Sequence, residues 1–145
     1  MARRYYLLTL VPFVLLLVFA TRVHAVCLQP RLTMAGTASE FERIVTESGG
    51  LASVQHGFYL DLVFIAVFLV IVPAVLHRGH GRWQVPVAAA TLDLAEDALS
   101  LVLLRISAAD FWFASLWAVA AVKLAAYLWS LAEVLLRAIR QPLPG

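Results

Sequence analysis

The chain has 145 residues, of which 63% are hydrophobic and only 14% are charged, and its mean hydropathy is +0.89. Soluble domains are closer to half apolar and a quarter charged, so the composition excludes an ordinary soluble domain and indicates an integral membrane protein. The formal net charge of +2 does not indicate nucleic acid as a partner, because the arginines cluster at helix ends and in loops, where they set membrane topology.

A basic flank, Arg3 and Arg4, precedes an apolar run from residue 5 to residue 20. A helix over this run rises only about 24 Å, which is short of the roughly 30 Å hydrocarbon core of a bilayer. Residues 23–25 also carry the small-residue pattern of a signal-peptidase site. The run reaches spanning length if it continues through Val26 and the Arg22 side chain extends to the headgroups. We predict a retained first span at about residues 5–26, with a cleaved signal peptide as the alternative.

Residues 27–57 form the one long polar segment of the chain. Within it, Ser39 and Glu42 have the spacing of a helix-capping box, and Phe41 and Ile44 fall on one helical face. We predict a short amphipathic helix that lies on the membrane surface or on the bundle. The single cysteine, Cys27, excludes an internal disulfide and a Cys-x-x-Cys redox pair.

Three further apolar segments are predicted spans, at about residues 58–76, 83–104 and 111–136. A basic turn at residues 77–82 joins the first two of these, and arginines and a proline-containing tail follow the last. With four spans, six arginines fall on one side of the membrane: Arg3, Arg4, Arg78, Arg82, Arg137 and Arg140. Both termini are therefore predicted to be cytoplasmic and residues 27–57 to lie outside. The predicted fold class is an all-α, four-span transmembrane bundle, a single domain over residues 1–145 in a bacterial-type inner membrane.

Ionisable and hydroxyl side chains interrupt the predicted spans in a regular pattern. At about 100° per residue, the three acids of the third span share one stripe with Ser100, while Lys123 and Tyr127 share a stripe on the fourth. A rise of about 1.5 Å per residue places the two stripes at a similar depth near mid-membrane. Asp61 is predicted about 5 Å from the outer end of the second span, where it lines an outward vestibule or leans inward. The candidate site residues are Asp61, Asp93, Glu96, Asp97, Ser100, Lys123 and Tyr127.

The acids of this site outnumber its lysine. If all four were ionised, Lys123 would leave three negative charges uncompensated, and uncompensated charge is costly inside a bilayer. Some of the carboxylates are therefore predicted to be protonated, hydrated or bound to a cation. The favoured interpretation is a non-enzymatic site for protons, a cation or an amphiphilic headgroup, in a protein that self-associates or belongs to a larger membrane complex.

Two alternatives stay open. The first is a structural accessory subunit, in which Lys123 pairs with one acid while Ser100, Ser130 and Tyr127 hydrogen-bond the others. The second is an intramembrane lipid-modifying enzyme that uses an acid and the lysine as acid/base partners. The chain has no Gly-x-Ser-x-Gly, His-Glu-x-x-His or Walker motif, which lowers the expectation of an enzyme.

No cofactor or metal is expected. A haem within a helical bundle needs ligands inside the helices, whereas His24 and His56 fall near the predicted outer boundary and His77 and His80 in the inner turn. Histidines in a glycine-rich turn are more often solvated than metal-bound.

The pattern of the last three spans resembles a known group of sequences. It comprises Tyr59-Leu-Asp61-Leu-Val-Phe64-Ile in the second span, Leu92-Asp93-Leu-Ala-Glu96 in the third and Lys123 in the fourth. This pattern resembles a group of small, uncharacterised bacterial membrane proteins with four predicted helices. Their third-span motif looks like Asp-x-x-Glu-Asn, and Asp97 stands here in place of the asparagine. The resemblance implies the fold but no activity, and the departure adds one potential negative charge.

Overall fold

The computed structural model describes residues 3–22, 31–106 and 110–140, and all regular secondary structure within these ranges is helical. A single helical turn covers residues 31–33. The longer helices are α1 (Arg3–Leu8), α2 (Val11–Arg22), α3 (Ala38–Glu47), α4 (Leu51–Arg78), α5 (Gln84–Leu103) and α6 (Asp110–Arg140). The predicted signal-peptidase site, His24 and Cys27 lie outside the described residues.

Up to residue 22, the predicted first span consists of two helices instead of one. Between α1 and α2, the Thr9 amide and hydroxyl both donate to the Tyr6 carbonyl, at 3.1 and 2.5 Å. Pro12 has no N–H group with which to continue the helical hydrogen bonds back to Leu8. The interruption therefore has a local cause, because the proline removes a donor and the threonine hydroxyl supplies one.

Two helices, α4 and α6, are long and apolar enough to cross a membrane. Their 28 and 31 residues correspond to lengths of about 42 and 46 Å. The third predicted span, α5, has 20 residues, but its three carboxylates make it too polar to be counted with α4 and α6. The boundaries also differ from the predicted ones, since α4 begins at Leu51 instead of residue 58 and α6 continues to Arg140.

The helices form a bundle in which α5 packs most extensively against α6 and then against α4. Helix α1 packs against α6 and α4, and α2 packs against α4. We call the end that carries α3 the outer end, and the end that carries the turn at residues 79–82 the inner end. An outer apolar cluster is built mainly from α3, α4 and α6 and includes Phe41, Phe58, Phe113 and Leu116. An inner apolar cluster includes Tyr6, Phe68, Leu76, Ala90 and Val134.

The amphipathic helix α3 is present and packs on the outer end of the bundle. Its apolar face belongs to the outer cluster, where the Phe41 ring lies 5.3 Å from the Phe113 ring. The predicted capping box is wrong by two residues, because the N-cap is Thr37, whose side chain accepts a hydrogen bond from the Glu40 amide at 3.3 Å. Glu40 in turn accepts from the amide of Gly36.

This cap predicts the effect of two neighbouring substitutions. Thr37→Ala should destabilise α3 by about 1 kcal/mol, because it removes an acceptor from the first turn of the helix. Ser39→Ala, at the position that the sequence pattern favours, should change helix stability much less. Amide hydrogen exchange across residues 38–47 measures both effects, and faster exchange in Ser39→Ala than in Thr37→Ala would contradict the assigned cap.

Candidate functional site

Four polar side chains of α5 are buried together between the two apolar clusters. Asp93, Glu96, Asp97 and Ser100 are only 2%, 1%, 5% and 1% exposed. Their spacing of three and four residues puts them on one face of the helix, toward its neighbours. Along α5, Ala90 of the inner cluster precedes them and Leu103 of the outer cluster follows them. We call this group, together with Lys123 and Tyr127 of α6, the acid layer.

Lys123 lies between two of the three buried acids. Its Nζ donates to Asp93 Oδ1 at 2.6 Å and lies 2.5 Å from Glu96 Oε2. The two carboxylate side chains are 3% and 2% exposed, whereas the lysine side chain is 17% exposed. Lys123 of α6 thus meets the acids of α5, as a rise of about 1.5 Å per residue along each helix predicts.

Tyr127 occupies the other oxygen of Asp93. Its hydroxyl donates to Asp93 Oδ2 at 2.5 Å, so both oxygens of this carboxylate accept a hydrogen bond from α6. The tyrosine ring packs against Phe64 and Phe68 of α4, at centroid distances of 5.6 and 4.8 Å. Tyr127 therefore fixes Asp93 from one side and belongs to the wall of the inner cluster on the other.

Asp97 lies on the side of the acid layer that faces α4, and Asp61 of α4 lies near it. Asp61 is half-buried and close enough to interact electrostatically with Asp97 and Tyr127. It lies ten residues after the start of α4, which is about 15 Å along the helix. The predicted 5 Å was counted from residue 58, and α4 begins seven residues earlier, about two helical turns. This position brings Asp61 next to the acid layer.

The two serines differ in their roles. Ser100 is buried at the outer edge of the acid layer. The Ser130 hydroxyl donates to the Ala126 carbonyl of its own helix at 2.8 Å and not to a carboxylate. This bond departs from the hydrogen-bonding scheme that the accessory-subunit alternative expected for Ser130.

The layer carries more acid than base. It buries three carboxylates, and the ion pairs of Lys123 go to two of them. With every group ionised, the layer would carry a net charge of −2, and Asp61 would add a further negative charge. A buried charge that is not compensated costs several kcal/mol (about 3–5 when one partner of a buried pair is removed). One lysine therefore does not balance the formal charge of the layer.

The three histidines that the structure describes do not contribute to this layer. His56, His77 and His80 are exposed, and the His77 ring contacts Trp83 edge-to-face at 5.8 Å. Within residues 3–22, 31–106 and 110–140, no three His, Cys, Asp or Glu side chains are grouped so that they could hold a metal ion.

A second polar cluster at the inner end was not among the predicted site residues. Glu133 Oε1 accepts from the amide of Arg82 at 3.0 Å and from Arg137 Nη2 at 2.9 Å. Arg137 also donates to the Gly79 carbonyl at 2.7 Å. The four-residue spacing of Glu133 and Arg137 on one helix could have indicated their ion pair. Their contacts with the turn, more than fifty residues away in sequence, have no sequence signal.

Comparison with known proteins gives no match, since no family model, curated protein or solved structure is similar to this chain. The class of protein is defined by its architecture: a helical bundle that has two helices able to cross a membrane and a buried layer of acids around one lysine. The resemblance to four-helix bacterial proteins stays a prediction.

Proposed function

We propose that the chain is a four-span inner-membrane protein whose acid layer binds and releases a proton. In this proposal the spans are α1–α2, α4, α5 and α6, both termini are cytoplasmic and α3 lies on the outer side. The protein acts as an oligomer or as a subunit of a larger membrane complex. The observation that carries the proposal is the burial of three carboxylates around a single lysine.

The distribution of polarity supports the membrane setting. Only 17% of the apolar window in α6 and 33% of that in α4 is buried, whereas the core helix of a soluble protein is mostly buried. The outward faces expose large apolar side chains such as Val70, Trp117 and Leu128, while the acids point inward. Apolar surface outside and charge inside is the arrangement that a lipid solvent favours.

The remaining two spans follow from the same reasoning. The 20 residues of α5 are about 30 Å long, which matches the hydrocarbon core. Its acids lie against α4 and α6, so they do not contact lipid. The break between α1 and α2 is compatible with a bilayer because the Thr9 hydroxyl bonds the Tyr6 carbonyl locally.

A proton suits the layer better than a larger cation or an amphiphilic headgroup. All three ligands bring positive charge to the layer, but a proton needs only a carboxylate oxygen. The side chain of Lys123 already fills the space between Asp93 and Glu96. We therefore place the exchangeable proton on the side of Asp97 and Asp61.

The proposed association with other subunits rests on the two apolar clusters. They bracket the acid layer toward both ends of the bundle. A proton that reaches the layer would need a further polar surface in order to cross the whole membrane. A second copy or a partner subunit that packs beside α4 would supply that surface next to Asp61.

Infrared titration of the reconstituted protein tests the proton site. The wild-type protein should show a carboxylic-acid band that disappears as the pH rises, and Asp97→Asn should remove part of it. Glu42→Gln, on an exposed acid of α3, is the matched control and should leave that band unchanged. A wild-type protein without any buried carboxylic-acid band at any pH would contradict the proposal.

The same titration distinguishes the other ligands. If sodium, potassium or a divalent ion moves the band while the pH is constant, the ligand is a metal cation. If only a quaternary ammonium amphiphile moves it, the ligand is a headgroup. Neither effect is expected for a proton site.

The contacts of Asp93 favour a second candidate function, that of a structural accessory subunit. Both of its oxygens are bound by α6, as expected of a group that locks two helices together. In that case Asp97→Asn would leave the titration unchanged and would instead reduce co-purification of partner subunits. The proton site predicts the opposite result for the same variant.

A further inference from the structure

Exposed cationic and indole side chains surround the inner end of the bundle. Arg78 ends α4, Arg140 ends α6, and Arg82 lies in the turn between α4 and α5. All three are exposed, and none of them forms an ion pair within the part of the chain that the structure describes. Trp83 and Trp129 are 39% and 54% exposed beside them. We call these five residues the inner rim.

The turn that carries the rim is held in one conformation by α6. Arg137 donates to the carbonyls of Gly79 and His80, at 2.7 and 3.4 Å, and Glu133 accepts from the amide of Arg82. A Cβ atom at Gly81 would lie 3.1 Å from Glu133 Oε1, so glycine lets the turn approach α6 without displacing that side chain. The backbone under Arg82 is therefore fixed before any ligand binds.

The Arg82 side chain is also positioned. Its guanidinium lies 5.7 Å from the centre of the Trp129 ring, a cation–π geometry that leaves the edges of the guanidinium available to a ligand. On the bilayer side of Trp129, Val122 and Leu128 of α6 are exposed. The rim thus places arginine donors, indole rings and aliphatic surface side by side.

The two ends of the bundle differ in charge. At the inner end, four arginines stand against one acid, Glu133, among the described residues 77–83 and 129–140. At the outer end, residues 31–57 and 104–110 carry three arginines and four acids within their described parts. Arg43 there pairs with Glu47 at 2.8 Å. Unpaired positive charge is thus concentrated at the inner rim.

We propose that the inner rim binds the phosphate headgroup of an anionic phospholipid. Arginine guanidinium groups bind phosphate oxygens through paired N–H donors, and tryptophan favours the headgroup level of a bilayer. The aliphatic surface of Val122 and Leu128, which lies on the bilayer side of Trp129, contacts the acyl chain. The inference rests on the proposed membrane setting and is independent of the acid layer.

The occupant is assigned from the apolar surface beside the phosphate site. A nucleic acid also offers phosphate, but it has no group that would cover Val122 and Leu128. A phospholipid satisfies both parts of the surface in one molecule. The inner leaflet of a cell membrane is rich in anionic lipid, and the positive-inside rule puts this rim there.

Lipid selectivity of the full chain in vesicles tests the proposal. The protein is reconstituted in phosphatidylcholine, and brominated phosphatidylglycerol or brominated phosphatidylcholine is added in order to quench tryptophan fluorescence. We expect the wild-type protein to prefer the anionic lipid, and each arginine of the rim contributes about fivefold. Arg78→Gln with Arg82→Gln should then lower the preference about 25-fold.

Arg105→Gln is the control for charge alone, because Arg105 is exposed at the outer end and this change removes one positive charge, as each of the two rim substitutions does. It should leave the lipid preference unchanged. The double variant Arg78→Lys with Arg82→Lys retains the charge and should keep most of the preference for anionic lipid. It therefore tests the rim even if the glutamine variant does not fold.

Three outcomes would overturn the assignment. They are an equal loss in Arg105→Gln, an unchanged preference in the glutamine double variant, and rim-dependent binding of an oligonucleotide at physiological salt without lipid preference. The infrared titration of the carboxylic acids distinguishes a failure of the lipid proposal from a failure of the proton-site proposal. Arg78→Gln with Arg82→Gln should retain that titration, and Asp97→Asn should retain the lipid preference.

Discussion

Lys123→Met should be the most destabilising single substitution in the acid layer. The lysine Nζ lies 2.6 and 2.5 Å from the carboxylates of Asp93 and Glu96, which are almost fully buried. Methionine has a similar volume but leaves both carboxylates without their cation. Removing one partner of a buried pair costs about 3–5 kcal/mol. The free energy of unfolding, measured by denaturant titration in mild detergent with circular dichroism, should fall by this amount.

The triple variant Lys123→Met, Asp93→Asn and Glu96→Gln separates lost charge compensation from lost packing. It removes the two acids together with the lysine, so it should recover a large part of the stability that the single variant loses. Arg105→Met is the matched control for loss of a positive charge, and it should have little effect on the free energy of unfolding. If Lys123→Met unfolds like the wild-type protein, then both acids are already neutral and the charge argument is wrong.

The core of the acid layer was predictable from the sequence. The spacing of Asp93, Glu96, Asp97 and Ser100 matches one face of a helix, and every one of these residues is buried on that face. The depth of Lys123 could be predicted because helical rise is constant. These properties depend only on regular helix geometry, which the sequence reports directly.

The features that were missed depend on exceptions to that regularity. The sequence predicts one helix over residues 5–26, but Thr9 and Pro12 interrupt it through their particular hydrogen-bonding chemistry. Hydropathy places the start of the second span at Phe58, yet α4 begins at Leu51 because its first turns pack under α3. Hydropathy marks where lipid begins and does not report where a helix begins.

Arg137→Gln is the second substitution with a large expected effect. Arg137 joins the carbonyls of Gly79 and His80 to Glu133, and glutamine cannot reach all three groups. The Glu133 side chain is only 15% exposed, so it would lose its charged partner in a largely buried position. Hydrogen bonds to charged groups contribute about 1.5–3 kcal/mol each, and we expect the free energy of unfolding to fall by about 3 kcal/mol.

Arg140→Gln is the matched control for Arg137→Gln, because it removes the same charge from an exposed position three residues later on α6. It should change the free energy of unfolding by less than about 0.5 kcal/mol. Amide exchange in residues 79–83 should accelerate in Arg137→Gln and stay constant in Arg140→Gln, because only Arg137 bonds the turn. Equal exchange in the two variants would mean that the turn is held by its own backbone conformation and not by α6.

Arg137→Gln and Arg140→Gln also separate two contributions to lipid binding, the fixed conformation of the turn and the charge of the rim. Arg137 is bonded to Glu133 and to backbone carbonyls, so it is a positioning residue and not a member of the rim. If the rim depends on a fixed turn, Arg137→Gln should lower the preference for anionic lipid although every rim arginine is present. Arg140→Gln should lower it through the loss of one cation while the turn stays fixed. A lipid preference that follows total charge alone, with equal losses in the two variants, would show that the fixed turn contributes nothing to binding.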